Sequence, residues 1–499
     1  MIEAFINGLL AVLEWKAFSF MLMGIGLGFW VGLLPGLGGG TTLALMLPFI
    51  YTMSPVEAFA FLLGMHAVTA TTGDITSILF GVPGEGISAA TILDGHAMAK
   101  KGEAGRALGA ALMSSLVGAI IGAFALALAI PVVRPLVLTF GAPELFVLAI
   151  MGIAFISSVS GQGWRALLLG FLAGLLGLVF AMVGQDPQEG TLRFTLDQLY
   201  LWGGVEIVPA IVGIFAIPEI VDLAVRGTSI AGEAPRGALG KGVWEGIKDT
   251  FRYFSLTVKC SLSGTFIGIM PGLGGGVAQW IAYGQAAQSA RSTEERSGFG
   301  KGDVRGVLGP GAANNSKEGG SLIPTIAFGV PGSSAMAILL GAFFIQGLIP
   351  GPDMLDKHLT VTFSMVWTLV IANIITVALS LLFLNQLARL TNIRGTILIP
   401  FLLFLCFIGA YTTNNHPGDL LLLIFFGLLG YFMILCGIPR APLVLGLVLG
   451  QVCERNFYIA TTRYGASWLW HPMVLVLIVV MIVVLIYPLT RPRLSEEVS

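Results

Sequence analysis

The sequence predicts an all-α integral membrane protein with two inverted structural repeats and about 10–12 transmembrane segments, some of them broken helices or re-entrant hairpins. Three observations lead to this class. Hydrophobic residues make up 56% of the chain and charged residues 11%, far below the roughly 25% charge of a soluble domain. The charges cluster between apolar runs of about 20 residues, the length that crosses a bilayer. The hexapeptide Pro-Gly-Leu-Gly-Gly-Gly occurs twice, at Pro35–Gly40 and Pro271–Gly276.

Composition also excludes several classes of protein. The formal net charge is −1 and no basic stripe alternates with aromatic residues, so we expect no nucleic-acid partner. Cys260, Cys406, Cys436 and Cys453 show no CxxC spacing, so we expect neither a metal cage nor a disulfide framework, and no cofactor. No G-x-x-x-x-G-K-[ST] phosphate-binding run occurs, which excludes an ATP-driven pump.

The first apolar stretch, about Ala17–Leu34, is predicted to be a retained membrane span. Met1–Glu14 before it lacks the basic region and the small-residue cleavage site of a signal peptide. The chain is therefore expected to be a multi-pass protein of the lipid bilayer rather than a secreted or anchored one.

The first span ends at the first hexapeptide. Proline and consecutive glycines break helical hydrogen bonding, which a bilayer tolerates only against protein or a water-filled cavity. A short helix should begin after the break, capped by Thr41 or Thr42, and its unpaired amides attract an anion. The alternative is close helix packing through small residues. The predicted substrate-binding residues of the two copies are Gly36, Gly38, Gly39, Gly40, Thr41, Thr42, Gly272, Gly274, Gly275 and Gly276.

A second duplicated block follows each hexapeptide, where Phe80–Gly84 matches Phe328–Gly332. A Pro-Gly tip after a polar membrane segment is typical of a re-entrant hairpin. We expect gating hairpins at these tips. The predicted gating residues are Pro83, Gly84, Pro331 and Gly332.

Polar residues lead into each hairpin, and hydroxyls, amides and freed carbonyls at membrane depth suit an anion or Na⁺. Asp74, Thr76 and Ser77 are the predicted cation-coupling residues, with a candidate Na⁺ site near Asp74, and Asn314, Asn315 and Ser333 are predicted to contact substrate. Other interpretations stay open. The hydroxyls could bond back to their own helix, and Asp74 could pair with a lysine or carry a proton. Lys317 and Glu318 could form a neighbouring ion pair or contact substrate, and His66 and His96 could be ordinary polar positions or proton relays.

The duplication divides the chain into an N-terminal membrane repeat at 1–226, a cytoplasmic linker at 227–250 and a C-terminal membrane repeat at 251–499. Lys and Arg flank equivalent spans at opposite ends, which predicts that the repeats are inverted and that the N-terminus is outside. The basic Arg226–Lys259 segment then lies inside and the acidic Asp186–Glu206 segment outside. Arg134 on the outer side is an exception, and a parallel duplication is the alternative.

These motifs resemble one family over essentially the full chain, the tripartite tricarboxylate transporters, and within it the large membrane (TctA-type) subunit. The resemblance rests on Gly32–Thr42, Thr76–Glu85, Leu93–Gly109, Arg193–Thr195, Gly268–Gly276, Ala312–Asn315 and Ile323–Thr325. The family usually has Gly-Gly-Ser where this chain has Thr72-Gly73-Asp74. The extra negative charge indicates a cation-bridged site or a substrate less charged than citrate.

The resemblance implies secondary uptake of carboxylates across a bacterial inner membrane, coupled to Na⁺ or H⁺. It also implies two partner polypeptides, a small membrane subunit and a periplasmic solute-binding protein. The chain is therefore expected to be a transporter and not an enzyme. The competing functions are a passive anion channel and an intramembrane aspartyl protease that uses Asp74 and Asp419.

Overall fold

The structure is a computed structural model. It describes residues 1–32, 38–81, 88–159, 163–186, 189–226, 242–270, 274–290, 292–384, 386 and 395–490.

The described chain is almost entirely helical. The helices up to the predicted linker are α1 Ile2–Leu13, α2 Trp15–Gly32, α3 Gly39–Met46, α4 Pro55–Phe80, α5 Ala89–Lys100, α6 Ala104–Val137, α7 Ala142–Val159, α8 Gly163–Ala181 and α9 Ile207–Arg226. Short 3₁₀ helices span Leu47–Ile50 and Leu199–Gly203. Two strands of two residues each, β1 Gly184–Gln185 and β2 Leu192–Arg193, pair antiparallel.

The remaining helices continue the same pattern. They are α10 Val243–Arg252, α11 Phe254–Ile269, α12 Gly274–Gln288, α13 Thr293–Arg296, α14 Arg305–Phe328, α15 Ser334–Ile345, α16 Pro352–Leu355, α17 Leu359–Leu382, α18 Gly395–Tyr411, α19 Pro417–Leu435, α20 Arg440–Tyr464 and α21 Pro472–Thr490, with a 3₁₀ helix at Gly465–Trp470.

Seven helices among the described residues are long and apolar enough to cross a bilayer, and shorter apolar helices of 10–17 residues accompany them. The predicted class, an all-α integral membrane protein, is confirmed. The more specific expectation of about 10–12 membrane segments stays a prediction.

The helices α4 and α14 end in the same way. Gly81 after α4 and Gly329 after α14 both adopt the left-handed conformation, with φ of 67° and 66°. Only glycine takes this conformation without a steric cost, and it stops the helix. The duplicated Phe-Gly-Val-Pro-Gly sequence therefore begins each time with a helix stop.

Close glycine contacts set α2 parallel to α4. A Cβ on Gly24 would lie 2.2 Å from the carbonyl oxygen of Phe61, and a Cβ on Gly32 would lie 2.9 Å from the Cα of Thr69. Eight residues along α2 correspond to eight residues along α4 in the same sense. The chain between them must therefore return across the protein, and α3 lies on that return.

The second half repeats this geometry with α11 and α14. A Cβ on Gly264 would lie 2.8 Å from the Cα of Ala313, and a Cβ on Gly268 would lie 2.3 Å from the carbonyl oxygen of Lys317. These two helices are also parallel. Counted back from the capping glycines, Lys317 takes the place that Thr69 has in α4. The Gly32–Thr69 and Gly268–Lys317 contacts therefore fall at equivalent positions.

The helices α4 and α14 cross each other antiparallel. His66 Nε2 lies 3.1 Å from Glu318 Oε2, and Asn314 Nδ2 donates to the Ala70 carbonyl at 2.8 Å. Four residues forward along α4 thus correspond to four residues backward along α14. This is the relation that inverted repeats require, although the inversion itself stays a prediction.

The predicted linker contains a helix. Residues 227–241 lie outside the described residues, but α10 packs against α6, where a Cβ on Gly246 would lie 2.0 Å from the Arg106 carbonyl oxygen. Arg106 Nε also donates to Asp249 Oδ2 at 2.7 Å. The predicted boundary at 250 falls inside this helix, and the division into two repeats stays a prediction.

Arg134, the exception to the charge pattern, has a partner near the end of α6. Its guanidinium forms an ion pair with Asp356, in the connection between α16 and α17. Because Asp356 carries the opposite charge, the pair offsets the charge of this arginine locally.

Candidate functional site

The first glycine cluster separates two helices, as predicted. The helix α2 ends at Gly32 and α3 begins at Gly39, with Gly38 as an extended N-cap at φ −66° and ψ 165°. Gly36 lies outside the described residues. Gly38, Gly39 and Gly40 therefore begin the helix, and these three residues have no side chains that could cover its first amides.

The expected threonine cap is wrong. Thr42 lies inside the first turn of α3, where its backbone amide and its hydroxyl both donate to the Gly38 carbonyl at 3.1 Å. The helix begins earlier than predicted because Gly38 supplies the extended backbone of an N-cap without a side-chain acceptor. Thr41 and Thr42 are both buried, at 7% and 0% exposure.

The second glycine cluster also separates two helices. The helix α11 ends at Ile269, Met270 adopts an extended conformation, and α12 begins at Gly274. Gly274, Gly275 and Gly276 form its first turn, while Gly272 lies outside the described residues. The Sγ of Cys260 lies 3.7 Å from the Ala282 carbonyl oxygen.

That contact shows that the chain turns back at the second cluster. Two residues that are 22 apart in sequence would be about 33 Å apart in one continuous helix. Cys260 and Ala282 are in contact instead, so α11 and α12 form a helical hairpin with the glycines at its tip. A cavity of 1130 Å³ lies along the other end of this hairpin, lined by Arg252, Lys259 and Gln285 among others.

The second Pro-Gly hairpin lies against the ends of both broken segments. A Cβ on Gly332 would lie 2.8 Å from the Gly268 carbonyl oxygen, at the end of α11. Ile338 of the helix that follows lies 3.4 Å from the position of a Cβ on Gly40. The second Pro-Gly tip and α15 after it thus contact the end of α11 and the first glycine cluster.

The other predicted hairpin residues are placed as follows. Pro331 is buried next to Gly332, and Ser333 caps α15 by accepting the Met336 amide at 3.3 Å. Pro83 and Gly84 lie outside the described residues. Ser333 has a local structural role in this geometry, and its contact with substrate stays a prediction.

The two predicted asparagines lie at the crossing of α4 and α14. Asn314 Nδ2 donates to the Ala70 carbonyl at 2.8 Å. Asn315 Nδ2 donates to Thr71 Oγ1 at 2.8 Å and to Asn373 Oδ1 at 2.7 Å. Both side chains are at most 4% exposed, and neither side-chain carbonyl oxygen accepts a hydrogen bond from a described residue. The side-chain amides of Asn314 and Asn315 therefore connect the two predicted repeats through buried hydrogen bonds.

The predicted cation-coupling residues join the two helices beside the first hairpin. Buried Asp74 Oδ1 accepts the Thr91 hydroxyl at 3.0 Å, and the Ser77 hydroxyl lies 2.9 Å from Ser88 Oγ. Thr76 and Ser77 also bond back to the Gly73 carbonyl at 3.0 and 2.8 Å. The Thr76 and Ser77 hydroxyls thus bond back to their own helix, which was one of the alternatives, while Asp74 links α4 to α5.

The sequence left the roles of His66, Lys317 and Glu318 open and did not connect them, but the structure brings them into one buried group. Glu318 forms an ion pair with the ammonium of Lys317, and its other carboxylate oxygen lies 3.1 Å from His66 Nε2. The three residues are between 3% and 4% exposed. Their separation of about 250 positions hid the contact. The signal available was the placement of three ionisable residues within otherwise uncharged membrane segments.

Asp94 is a second residue that sequence reasoning missed. Its carboxylate is fully buried and accepts the amides of Gly302 and Asp303 at 2.7 and 2.9 Å and the Tyr283 hydroxyl at 2.9 Å. It ties α5, after the first hairpin, to α12, after the second glycine cluster. The signal was its position inside the quoted Leu93–Gly109 motif.

Comparison with known proteins gives a family. Residues 18–445 match the Tripartite tricarboxylate transporter TctA family. The chain is 33% identical over 438 residues to an uncharacterized 52.8 kDa protein in the TAR-I ttuC' 3' region of Agrobacterium vitis, covering 87% of this chain and 85% of that protein. It is 34% identical over 193 residues to an uncharacterized protein in the TAR-II ttuC' 3' region of the same organism, covering 39% and 78%.

No solved structure matches the chain. The family match covers both glycine clusters, both Pro-Gly tips and the buried crossing of α4 and α14, and the family is one of transporters. This multi-pass membrane protein belongs to the tripartite tricarboxylate transporter TctA family.

Proposed function

We propose that this protein is the large permease subunit of a secondary transporter that imports carboxylates, of the dicarboxylate or tricarboxylate type, across the bacterial inner membrane. The observation that carries the proposal is the position of the second Pro-Gly hairpin. Its tip packs against the end of α11 through Gly332 on Gly268, and α15 after the tip packs against the first glycine cluster through Ile338 on Gly40.

The substrate carboxylates bind to backbone amides at the starts of α3 and α12. A helix start offers unpaired N–H groups and about half a positive charge, which suits an anion. Glycine at Gly38–Gly40 and Gly274–Gly276 places no side chain of its own between the helix start and a ligand. The amides of Asn314 and Asn315, from the neighbouring helix crossing, assist in orienting the substrate.

Transport proceeds by alternating access. The antiparallel crossing of α4 and α14 supports this step, because an inverted pair presents equivalent structure to the two sides of the membrane. The predicted hairpins at Pro83 and Pro331 act as gates. The cavity beside Lys259 and Gln285 supplies one route of access along the α11–α12 hairpin.

A cation gradient supplies the work. Asp74, with Thr76 and Ser77 beside it, is the candidate site for Na⁺, where the cation would offset the charge of a carboxylate. A potential of 100 mV contributes about 2.3 kcal/mol for each elementary charge that crosses. That corresponds to about fifty-fold accumulation for each net positive charge moved inward.

Two further polypeptides complete the transporter. A periplasmic solute-binding protein delivers the carboxylate, and a small membrane subunit accompanies this chain. The family match supports both partners, since the family is defined by its tripartite transporters.

Reconstitution tests the proposal. The chain is inserted into liposomes with its small subunit and its binding protein, and uptake of acetate, succinate and citrate is measured under separate Na⁺ and H⁺ gradients. We expect uptake of at least one carboxylate above its external concentration, lost when the ion gradients are collapsed. Equilibration without accumulation under every gradient would indicate a passive channel, and absence of carboxylate flux would contradict the proposal.

A further inference from the structure

A buried charged group lies where the two halves meet. His66 comes from α4, and Lys317 and Glu318 come from α14. The Glu318 carboxylate accepts from the Lys317 ammonium on one oxygen and lies 3.1 Å from His66 Nε2 on the other. All three side chains are at most 5% exposed. We call these three residues the His-Glu-Lys triad.

The triad breaks the approximate symmetry of the crossing. Counted from the capping glycines Gly81 and Gly329, His66 corresponds to Asn314, and Ala70 corresponds to Glu318. The two equivalent contacts are therefore a neutral amide bonded to a carbonyl at 2.8 Å and an imidazole nitrogen 3.1 Å from a carboxylate oxygen that also pairs with the Lys317 ammonium. The neutral Asn314–Ala70 contact shows that this crossing can pack without charges. The buried charges of Lys317 and Glu318 at the equivalent position therefore point to a function other than packing.

The triad lies on the same helical turns as the ends of the broken segments. The Lys317 carbonyl oxygen lies 2.3 Å from the position of a Cβ on Gly268, one residue before the end of α11. On the other helix, Thr69, three residues after His66, contacts Gly32, where α2 ends. The triad therefore lies on the turns of α4 and α14 that pack against the ends of α2 and α11, the helices that lead into the two glycine clusters.

Charge balance links a carboxylate to a proton at this site. With a neutral His66, the Lys317 ammonium and the Glu318 carboxylate cancel. An incoming substrate carboxylate competes with Glu318 for Lys317, which would leave a buried carboxylate without its cation. Protonation of His66 restores the balance, because the imidazolium is then the partner of Glu318 while Lys317 binds the substrate.

We propose that the His-Glu-Lys triad is the proton-coupling site of this transporter, with His66 as the proton carrier and Lys317 as a direct partner of the substrate carboxylate. This inference rests on the proposed function. One proton from water on the open side converts the His66 imidazole to imidazolium for each substrate carboxylate that Lys317 accepts. Both are released on the other side, and no covalent bond of the substrate changes.

Other titratable groups lie on α4, on α14 and on the helices packed against them. Asp74, eight residues after His66 on α4, accepts from Thr91 on α5, so the proton site is separate from the candidate Na⁺ site. The other titratable groups on helices packed against α4 and α14 are Glu3, Lys16, Asp94, His96, Lys100, Arg106, Arg134, Glu144, Lys259, Cys260, Tyr283 and Asp353, together with Glu57 and Arg305 on α4 and α14 themselves.

Most of these groups are already bonded away from the triad. Asp94 accepts from Tyr283 and Gly302, His96 Nδ1 lies 3.1 Å from the Ile78 carbonyl oxygen, and Arg305 pairs with Asp303. Lys16, Lys100 and Glu3 lie at helix ends. The charge balance of the triad is therefore set mainly by its own three members and by the ligand.

The variant His66→Gln tests the proposal in liposomes that hold the complete transporter. Acetate, succinate and citrate serve as probes, and the carboxylate with the highest wild-type uptake is used. We expect an inward H⁺ gradient to stimulate wild-type uptake at least about five-fold. His66→Gln should lose this stimulation but keep exchange of labelled for unlabelled carboxylate without a gradient. Stimulation of His66→Gln as large as in the wild type would overturn the proposal.

His471→Gln is the matched control. His471 Nδ1 lies 3.3 Å from Glu144 Oε1 in a pair of the same type, but the histidine side chain is 32% exposed. This variant should keep the full stimulation by the H⁺ gradient. Loss of stimulation in both variants would overturn the assignment to His66.

A measurement on the unaltered protein covers the case in which His66→Gln does not fold. The carboxylate is added to the purified transporter in unbuffered solution with a pH indicator, and the protons taken up are counted. We expect about one proton for each carboxylate bound. Carboxylate binding without proton uptake would overturn the proton site and leave the proposed function standing, whereas no exchange and no binding in the wild type would contradict the proposed function itself.

Discussion

Single residues decide which charges this membrane protein keeps inside. The described part of the chain contains buried Asp74, Asp94, Lys317 and Glu318, each of which costs free energy in a bilayer unless it is paired or hydrogen-bonded. Asp94 and Glu318 have several partners in the structure, and these partners come from distant parts of the sequence. The sequence identifies such residues as unusual, but the partners depend on how the helices pack.

Asp74 offers a test at this scale. Asp74→Asn keeps the shape and the hydrogen bond from Thr91 but removes the charge, so a cation bound there loses its counter-charge. We expect the half-saturating Na⁺ concentration for uptake to rise about ten-fold, which corresponds to about 1.4 kcal/mol. Uptake is measured against Na⁺ concentration in liposomes.

Asp419→Asn is the control for Asp74→Asn. Asp419 is also a fully buried aspartate, and it accepts the Tyr200 hydroxyl at 2.6 Å, so its variant removes an equal charge elsewhere. Unchanged Na⁺ dependence in Asp74→Asn would show that Asp74 only ties α4 to α5.

At the scale of helices, local patterns predicted the breaks well and the boundaries less well. Proline followed by glycines correctly placed an interruption after Gly32 and after Ile269. The N-cap of α3 is Gly38 rather than a threonine, and glycine is about as favourable at an N-cap as threonine. The helix α10 was missed within the predicted linker, since its buried face consists of Gly246, Ile247, Asp249 and Thr250, which is a weakly apolar set.

The contact between α10 and α6 gives a stability test. Gly246→Val would place a Cβ 2.0 Å from the Arg106 carbonyl oxygen, so the helices must separate. We expect a loss of about 1–3 kcal/mol of stability, seen as a lower thermal unfolding temperature of the purified protein. Gly284→Val, at a helical glycine with no atoms within 4 Å of an added Cβ, should change it little. Equal effects of both variants would contradict the packing.

At the scale of the whole molecule, the duplication was visible in the sequence, but the way the halves meet was not. Matching blocks predicted two repeats, and the parallel pairs α2 with α4 and α11 with α14 have equivalent contacts. The antiparallel crossing of α4 and α14 joins residues about 250 positions apart. No local pattern contains such a contact, so the triad could be found only from the fold.

The predicted topology can be measured with two single cysteines. Trp202 and Trp244 are 47% and 65% exposed, and the charge pattern places Trp202 outside and Trp244 in the cytoplasm. In a Cys436→Ser background, Trp202→Cys should react with a membrane-impermeant maleimide in intact cells. Trp244→Cys should react only after the membrane is permeabilised. Reaction of both from the same side would contradict the predicted topology.

The central claim is that two glycine clusters, one in each half, form one carboxylate site. It is tested most directly by carboxylate exchange in liposomes with Gly38→Val and Gly274→Val. The control for Gly38→Val is Gly26→Val on the preceding helix α2, and the control for Gly274→Val is Gly284→Val on α12 itself. An added Cβ meets no atom within 4 Å at either control position. We predict that each cluster variant inserts normally and loses more than about 90% of exchange, because one blocked helix start removes a share of the anion site, while the controls retain it. Normal exchange by both cluster variants would contradict the account.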